Sequence, residues 1–366
     1  LHVRSRRQRQ MCIRDRCVIA YNEEQNINGI LECIKNQDYD HNNMEVVLVD
    51  GASTDNTRAL MCEFALDNKD EFRRVVVLDN PKKTLPSGWN VALREYKGDA
   101  IIKVDAHAVI PEDFVSKNVR VLETGEYICG GQRPNIIDKP TPFKETLLLA
   151  ESSMFGSSIA SYRNNPGKTY VKSLFHAAYR REVFEKVGFF NEELVRTEDN
   201  EIHYRMRKAG YKLCFDPDII SYQYTRSSLK AMLKQKYANG YWIGKTSKVC
   251  PKCLSIYHFV PFAFVSAIIA SGSVIGATGL AECIKKRHNH TLGKGISALR
   301  KVTVVLTTVM WVLYALMASG MAAVSAFKAE DKRNITNACL PVLFLLLHLS
   351  YGIGTIAGLM DKSKRG

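Results

Sequence analysis

The chain has 366 residues, of which 46% are hydrophobic and 24% charged, and its net charge is +14. This composition excludes a disordered or low-complexity protein, because it supplies enough apolar material for two or three domain cores. The positive charge is concentrated at the two ends: residues 1–16 carry +5 and residues 245–366 carry +11, which leaves −2 for residues 17–244. Nucleic-acid-binding proteins concentrate positive charge on the folded recognition domain, so we expect no nucleic-acid partner.

Residues 1–16 differ from the sequence that follows them. They contain six arginines, lack an apolar stretch, and fit neither the helical nor the strand period. We interpret them as a non-native or disordered leader that takes no part in the fold.

Short apolar runs alternate with amphipathic helices from residue 17 to about residue 130. Strands are predicted at 17–20, 46–49, 75–78 and 101–104. The apolar positions of the first helix are Ile27, Ile30, Leu31 and Ile34, and a second helix is expected from about Thr57. Continuous β-branched runs joined by helices are typical of a parallel sheet covered on both faces, so the fold class is α/β.

Polar residues follow these strands, at the edge of the sheet where α/β proteins bind their ligands. They are Asn22, Glu23, Asp50, Ser53, Asp55 and Asp105. The sequence therefore predicts a binding site at this edge. Asp50 and Asp55 are also common as turn and helix-cap residues, and for these two the alternative stays open.

Three apolar runs near 254–281, 302–326 and 335–360 contain no Lys, Arg, Asp or Glu. Each is long enough to cross about 30 Å of hydrocarbon as a helix. The first run is interrupted by Ser271-Gly272-Ser273 and predicts either a span or a re-entrant hairpin, so three spans and two are both open. We expect a catalytic domain at 17–245 and a membrane domain at 246–366.

Four motifs resemble family-2 glycosyltransferases in their order and spacing. They are Ala20-Tyr21-Asn22-Glu23-Glu24, Val49-Asp50-Gly51-Ala52-Ser53-Thr54-Asp55, Val104-Asp105-Ala106-His107-Ala108 and Thr197-Glu198-Asp199. The resemblance extends over about 17–245, and the apolar tail resembles the succinoglycan-type glucosyltransferase branch. It implies an inverting hexosyltransferase with a GT-A fold, which is Rossmann-like with a mostly parallel sheet, followed by C-terminal transmembrane helices.

The resemblance also implies a nucleotide-sugar donor, with UDP as the expected nucleotide. The donor-binding residues that it implies are Ala20, Asn22, Glu23, Asp50, Ser53, Asn90 and Asp105. His107 takes the third place of the family's D-x-D metal motif. The implied cofactor is Mn²⁺ or Mg²⁺ on Asp105 and His107, because hard cations take oxygen ligands and Mn²⁺ tolerates imidazole better than Mg²⁺ does. For His107 a polar pocket role is the open alternative.

Thr197-Glu198-Asp199 begins a predicted helix that ends near Gly210. Acidic residues in a first turn are ordinary partners of the helix dipole. Inverting transfer, however, needs a general base that deprotonates the acceptor hydroxyl. The resemblance assigns this role to Asp199, with Glu198 beside it, and two adjacent carboxylates favour a raised pKa in one of them.

Gln235 and Trp242 resemble the acceptor-side Q-x-x-R-W region of the family. No arginine precedes Trp242, which favours single-sugar addition. We therefore expect an integral protein of a bacterial-type cell membrane, with a cytoplasmic catalytic domain. It would add a sugar to a lipid-linked (polyprenyl) saccharide in exopolysaccharide or cell-surface polysaccharide biosynthesis, in contact with membrane lipid and other polysaccharide-assembly proteins. A processive polysaccharide synthase and a catalytically inactive sugar-nucleotide-binding scaffold are the alternatives.

Overall fold

A computed structural model describes residues 15–156, 167–226, 228–287, 293–329 and 334–362. The chain forms two compact units. The first consists of Leu1–Ile136 and Ala160–Thr225, and the second of Ile137–Ile159 and Arg226–Lys364. This division differs from the predicted boundary at residue 245, because the helix Leu229–Val249 and a segment from the middle of the chain pack with the apolar helices.

The strands all belong to the first unit and are β1 (Asp15–Ala20), β2 (Glu45–Asp50), β3 (Arg74–Asp79), β4 (Ala100–Asp105), β5 (Ala108–Val109), β6 (Ile128–Gln132), β7 (Asn135–Ile136), β8 (Thr169–Val171), β9 (Ala177–Arg180), β10 (Leu213–Ile220) and β11 (Tyr222–Tyr224). The helices are α1 (Ile27–Lys35), α2 (Thr57–Asp67), α3 (Leu85–Glu95), α4 (Phe114–Glu123), α5 (Pro142–Ser152), α6 (Arg181–Val187), α7 (Glu198–Lys208), α8 (Leu229–Val249), α9 (Val260–Arg287), α10 (Lys294–Lys328) and α11 (Leu340–Met360). Of these, α5 and α8 to α11 lie in the second unit.

The main sheet has the strand order β3-β2-β1-β4-β9-β6-β10-β8. The four strands β3, β2, β1 and β4 are parallel, as are β6 and β10, whereas β9 and β8 run antiparallel to their neighbours. A second, three-stranded sheet has the strand order β5-β11-β7. The predicted α/β class with a mostly parallel sheet is therefore confirmed.

Each face of the sheet is covered by its own apolar cluster, because side chains of a strand alternate between the two faces. On β2, Val46 and Leu48 belong to the cluster that includes α1, whereas Val47 and Val49 belong to the cluster that includes α3. The predicted apolar positions of α1 are its buried residues. Each fully buried aliphatic side chain contributes about 1.5–3 kcal/mol to folding.

β1 begins at Asp15, which lies inside the segment 1–16 that was predicted to be a leader. Asp15 pairs with Ile101 of β4 in the parallel ladder. Ladder hydrogen bonds join backbone groups and require no apolar side-chain pattern, so pattern analysis placed the strand start two residues late. The remainder of the predicted leader, residues 1–14, lies outside the described residues.

Three helical segments are long and apolar enough to cross a membrane, namely Ile256–Arg287, Lys294–Lys328 and Ile335–Met360. The first runs without interruption through Ser271-Gly272-Ser273 as α9, so the re-entrant hairpin is wrong. A glycine costs a helix only about 1 kcal/mol, and the Ser271 hydroxyl donates to the carbonyl oxygen of Ile268 at 3.2 Å. These residues weaken the helix without ending it.

In the second unit, α8 packs against α11 through glycines. A Cβ atom added to Gly358 of α11 would lie 2.0 Å from the carbonyl oxygen of Tyr241, and one added to Gly240 of α8 would lie 2.0 Å from that of Tyr351. Small residues at such spacing let two helix backbones approach closely. The interface therefore depends on the absence of side chains at these positions.

We expect Gly358→Ala to lower the stability of the second unit by about 1–3 kcal/mol, because the added methyl group forces the two helices apart. Gly272→Ala in α9 is the matched control, since its Cβ atom meets no heavy atom of the described residues within 4 Å. That control should be neutral or stabilising by up to about 1 kcal/mol. Thermal unfolding of both variants in detergent measures the difference, and equal midpoints would contradict the packing argument.

Candidate active site

The loops that follow β1 and β2 bind each other at the carboxyl edge of the sheet. The N–H of Asn22 donates to Ser53 Oγ at 3.0 Å, and the N–H of Thr54 donates to Asn22 Oδ1 at 2.8 Å. Asn22 has φ +53° and Ala52 has φ +57°, in the left-handed region that costs a non-glycine residue about 1 kcal/mol or more. The hydrogen bonds hold both loops in this shape and bring Asn22 and Ser53 together.

Asp55 joins the same two loops to the start of α2. Its Oδ1 accepts hydrogen bonds from the Thr57 N–H at 3.0 Å and the Thr57 hydroxyl at 2.6 Å. The Thr57 hydroxyl oxygen in turn accepts the N–H of Glu23 at 2.8 Å. Asp55 therefore stabilises the turn that precedes α2, whose N-cap residue is Asn56, and the turn role is one of the alternatives that the sequence left open for it.

Asp50 ends β2 and is only 2% exposed. Both of its carboxylate oxygens face the N–H of Ser53, at 3.3 and 3.2 Å. Ala20 pairs with Asp50 in the strand ladder, and the Ala20 carbonyl oxygen accepts the N–H of Gly51 at 2.8 Å. Asp50 thus shapes the turn, and its contact with a donor remains a prediction.

Asp105, at the end of β4, is held by a histidine that sequence analysis did not assign to the site. The Asp105 N–H donates to Nε2 of the buried His176 at 3.4 Å. His176 Nε2 also lies 3.8 Å from Asp105 Oδ2, and the other ring nitrogen, Nδ1, lies 2.8 Å from Ser221 Oγ. His176 lies outside the four motifs that carry the family resemblance, so those motifs gave no sign of it.

His107 contacts protein groups through both ring nitrogens. Gln223 donates from Nε2 to His107 Nε2 at 2.9 Å, and His107 Nδ1 lies 3.5 Å from Glu23 Oε1. This arrangement corresponds to the polar-pocket alternative for His107. Gln223 was missed because the short strand β11 brings it to the site from a distant part of the sequence.

The donor set at this edge suits a divalent cation through Asp105. Its side chain is 14% exposed. The described ranges contain no group of three or more His, Cys, Asp or Glu side chains that could hold a metal ion. Mg²⁺ in nucleotide sites commonly uses one or two carboxylates together with phosphate oxygens and water. Asp105 therefore fits such an ion, whereas His107 as arranged here does not fit as a second ligand.

Lys103 connects β4 to the pair of carboxylates that begins α7. Its ammonium nitrogen lies 2.5 Å from Asp199 Oδ1 and 3.8 Å from Glu198 Oε1. It also lies 5.3 Å from the centre of a Trp89 ring and 5.9 Å from that of Phe190. Sequence analysis gave Lys103 no role, although a lysine is rarely buried without a charged partner.

The two carboxylates differ in protonation and in exposure. Burial raises the pKa of Glu198 to about 8, and the neighbouring Asp199 adds to this shift. Burial also raises the pKa of Asp199, but Lys103 opposes the rise. Glu198 is therefore protonated at neutral pH, and its side chain is 4% exposed against 19% for Asp199. Asp199 is the better candidate for a base.

Asn90 lies on α3 and binds the segment before α7. Its Nδ2 donates to the Phe190 carbonyl oxygen at 3.0 Å and to Glu192 Oε1 at 2.9 Å, and its Oδ1 accepts the Phe190 N–H at 2.9 Å. These bonds give Asn90 a structural role in holding this segment. Its predicted contact with a donor remains a prediction.

Gln235 and Trp242 lie on α8, in the second unit. Seven residues, about two helical turns, separate them, so they lie on similar faces of the helix. Gln235 Oε1 is buried and has no hydrogen-bond partner among the described residues. Their predicted acceptor-side role remains a prediction.

The sequence of this chain is similar to those of known proteins. Residues 16–188 match the family model described as "Glycosyl transferase family 2". Succinoglycan biosynthesis protein ExoA of Rhizobium meliloti is 30% identical over 203 residues, which cover 54% of this chain and 59% of the length of ExoA. A dolichyl N-acetyl-α-D-glucosaminyl phosphate 3-β-D-2,3-diacetamido-2,3-dideoxy-β-D-glucuronosyltransferase of Methanococcus voltae is 27% identical over 258 residues, 69% of this chain and 78% of that protein.

Among solved structures, the mannosyltransferase PcManGT of Pyrobaculum calidifontis, in complex with GDP-Man and Mn²⁺, aligns with a TM-score of 0.56 and 18% identity. The alignment covers 95% of this chain and 87% of PcManGT. At this identity the likeness concerns the fold. It agrees with the mostly parallel sheet described above.

The raised pKa of Glu198 predicts a pH-dependent stability. The folded state favours the protonated carboxyl, so this contribution is complete below the ordinary pKa of 4.5 and is lost as the pH rises through about 8. Between these limits it falls by about 1.4 kcal/mol per pH unit. Glu198→Gln should remove this slope. Thermal unfolding from pH 5.5 to 8 tests the prediction, and parallel curves for the two proteins would contradict it.

Proposed function

We propose that this chain, whose residues 16–188 match the family model of glycosyl transferase family 2, transfers a sugar from a nucleotide-diphosphate donor, with inversion, onto a lipid-linked saccharide. The observation that carries the proposal is the arrangement at the carboxyl edge of the sheet. Asp105 at the end of β4 and Asp199 at the start of α7 are connected through Lys103. The strand β4 thus carries the donor-side carboxylate, Asp105, and also Lys103, which contacts the base candidate Asp199.

In the proposed reaction Asp199 is the general base. Its carboxylate accepts the proton of the acceptor hydroxyl while that oxygen forms a bond to the anomeric carbon of the sugar. The bond from the anomeric carbon to the phosphate oxygen breaks, and the nucleoside diphosphate leaves from the opposite face. This in-line geometry inverts the anomeric configuration. Glu198 keeps its proton and takes no part as a base.

The donor would bind along the loops after β1 and β2. Asp50 is the candidate partner for the base or ribose, and Ser53 and Asn22 form the adjoining loop surface. Glu23 and Ala20 complete this side. Because hydrogen bonds already fix both loops, little conformational freedom is lost on binding.

Asp105 would hold Mn²⁺ or Mg²⁺ together with the donor diphosphate. When bound, the cation neutralises the charge that develops on the leaving diphosphate. PcManGT, which is solved with GDP-Man and Mn²⁺, supports this assignment. His176 keeps the Asp105 backbone in place, and His107, bonded to Gln223, contributes a polar wall to the pocket.

The acceptor is proposed to be a polyprenyl-type lipid-linked saccharide of exopolysaccharide or cell-surface polysaccharide biosynthesis. The names of ExoA and of the Methanococcus voltae transferase support succinoglycan-like and lipid-linked substrates. Three helical segments suited to a membrane would keep the enzyme at the bilayer, where such acceptors are found. Nucleotide sugars are cytoplasmic, so the catalytic unit would face the cytoplasm and meet other polysaccharide-assembly proteins there.

Asp199→Asn should lower transfer by about 10²–10⁴-fold, because the amide cannot accept the acceptor proton. Glu198→Gln should retain most of the activity, since it imitates the protonated side chain. The assay uses membranes containing the full chain, Mn²⁺ and a panel of radiolabelled UDP- and GDP-sugars, with label extracted into the lipid phase.

Asp113→Asn, which removes an exposed ion pair with Lys117, is the control for the loss of one carboxylate. Lipid-phase label that persists in Asp199→Asn would contradict the assignment of the base. Label found only in high polymer would favour a processive synthase. Donor binding without transfer would favour an inactive sugar-nucleotide-binding scaffold.

A further inference from the structure

We propose that Lys103 is a positioning residue, which orients the Asp199 carboxylate for proton transfer. The inference rests on the proposed function, since it takes Asp199 as the base. In the bonds that the structure describes, Lys103 does not contact the loops that follow β1 and β2. It acts through Asp199 alone.

The position of Lys103 in β4 explains how it can do this. Side chains two residues apart on a strand point to the same face and lie about 6.5 Å apart. Lys103 and Asp105 therefore share one face of β4. One strand thus supports the donor-side carboxylate and the cation that holds the base, and the distance between them is fixed by the backbone.

The surroundings of the ammonium group restrict its position. The ammonium group faces the ring of Trp89, which belongs to α3, and the ring of Phe190, which lies in the segment before α7. Asp199 Oδ1 is 2.5 Å away. Two ring faces and a carboxylate stabilise this buried cation. Each ring contributes about 0.5–2 kcal/mol. Asn90 holds Phe190 through two backbone hydrogen bonds. The ammonium group is thus held from three sides.

The contact with Lys103 distinguishes the two oxygens of the Asp199 carboxylate. Lys103 binds Oδ1, while 19% of the Asp199 side chain remains exposed. A charge-assisted hydrogen bond at one oxygen restrains the position of that oxygen.

A purely structural lysine would have a different signature. If Lys103 served only to compensate buried carboxylates, its replacement would lower stability, and the folded fraction would react at the ordinary rate. Loss of positioning instead lowers kcat in the folded enzyme and leaves the KM for the donor unchanged. Misplacement of a reacting group by about 1 Å can cost up to about 100-fold in rate.

The experiment compares the full chain, purified in detergent with lipid, as wild type, Lys103→Met, Lys103→Arg, Asp199→Asn and the double variant Lys103→Met/Asp199→Asn. We expect Lys103→Met to lower kcat by about 10- to 100-fold per folded molecule, with the donor KM within about threefold of wild type. The double variant should be no slower than Asp199→Asn. Lys117→Met, which removes the Lys117–Asp113 ion pair at 2.8 Å, should match wild type.

Lys103→Arg keeps the positive charge but shifts the carboxylate, so it should fold and lower kcat less than Lys103→Met does. It decides the matter if Lys103→Met does not fold: a wild-type kcat in Lys103→Arg overturns the proposal. The proposal is also overturned if the activity lost in Lys103→Met is explained by its smaller folded fraction. It is overturned as well if Lys103→Met lowers kcat in the Asp199→Asn background as much as it does in wild type. If wild type transfers sugar and Asp199→Asn does not, such a result refutes the role of Lys103 alone; absence of transfer in wild type refutes the proposed function and this role together.

Discussion

The parallel register of β2, β1 and β4 is the constraint on which the site depends. The ladder pairs Ala20 with Asp50 and Ile19 with Asp105, so the three strands end within one residue of each other at the same edge of the sheet. Ladder hydrogen bonds and side-chain alternation set this register, since a slip of one residue would exchange the two apolar clusters between the faces of the sheet. The same buried residues that stabilise the fold thus bring the donor-side groups together.

The buried cluster of Lys103, Glu198 and Asp199 is not explained by stability. Taking an ion out of water costs several kcal/mol, and apolar residues of similar volume often stabilise a protein as well or better. Glu198 reduces the cost by staying protonated, which leaves one cation and one anion in contact. The remaining pair lies at the start of α7, beside the strand that ends at Asp105, where the proposed mechanism requires a base. Its location, rather than its energy, argues for a role in the reaction.

Local patterns predicted the elements of the first unit well, and they failed where distant segments meet. The apolar positions of α1 and the strands up to β4 follow from periodicity alone. His176, which precedes β9, contacts Asp105, and Gln223 of β11 contacts His107 just after β4; no local pattern encodes these contacts between distant segments. Lys103 was visible as a lysine in an apolar strand, but its partner on α7 was not. The sequence also left the continuity of α9 open, because glycine and serine weaken a helix without necessarily ending it.

The second unit depends on contacts of a different kind. Leu147 of α5, Met232 of α8 and Phe344 of α11 share one apolar cluster, so a short segment from between two strands of the first unit is part of the helical core. Glycines on α8 and α11 bring those two helices into backbone contact. Such contact allows little rotation of α8 about its own axis. A rotation would bring a residue with a side chain to the place where a glycine now contacts the backbone of α11. The direction in which α8 presents Trp242 is therefore determined by residues that carry no side chain of their own.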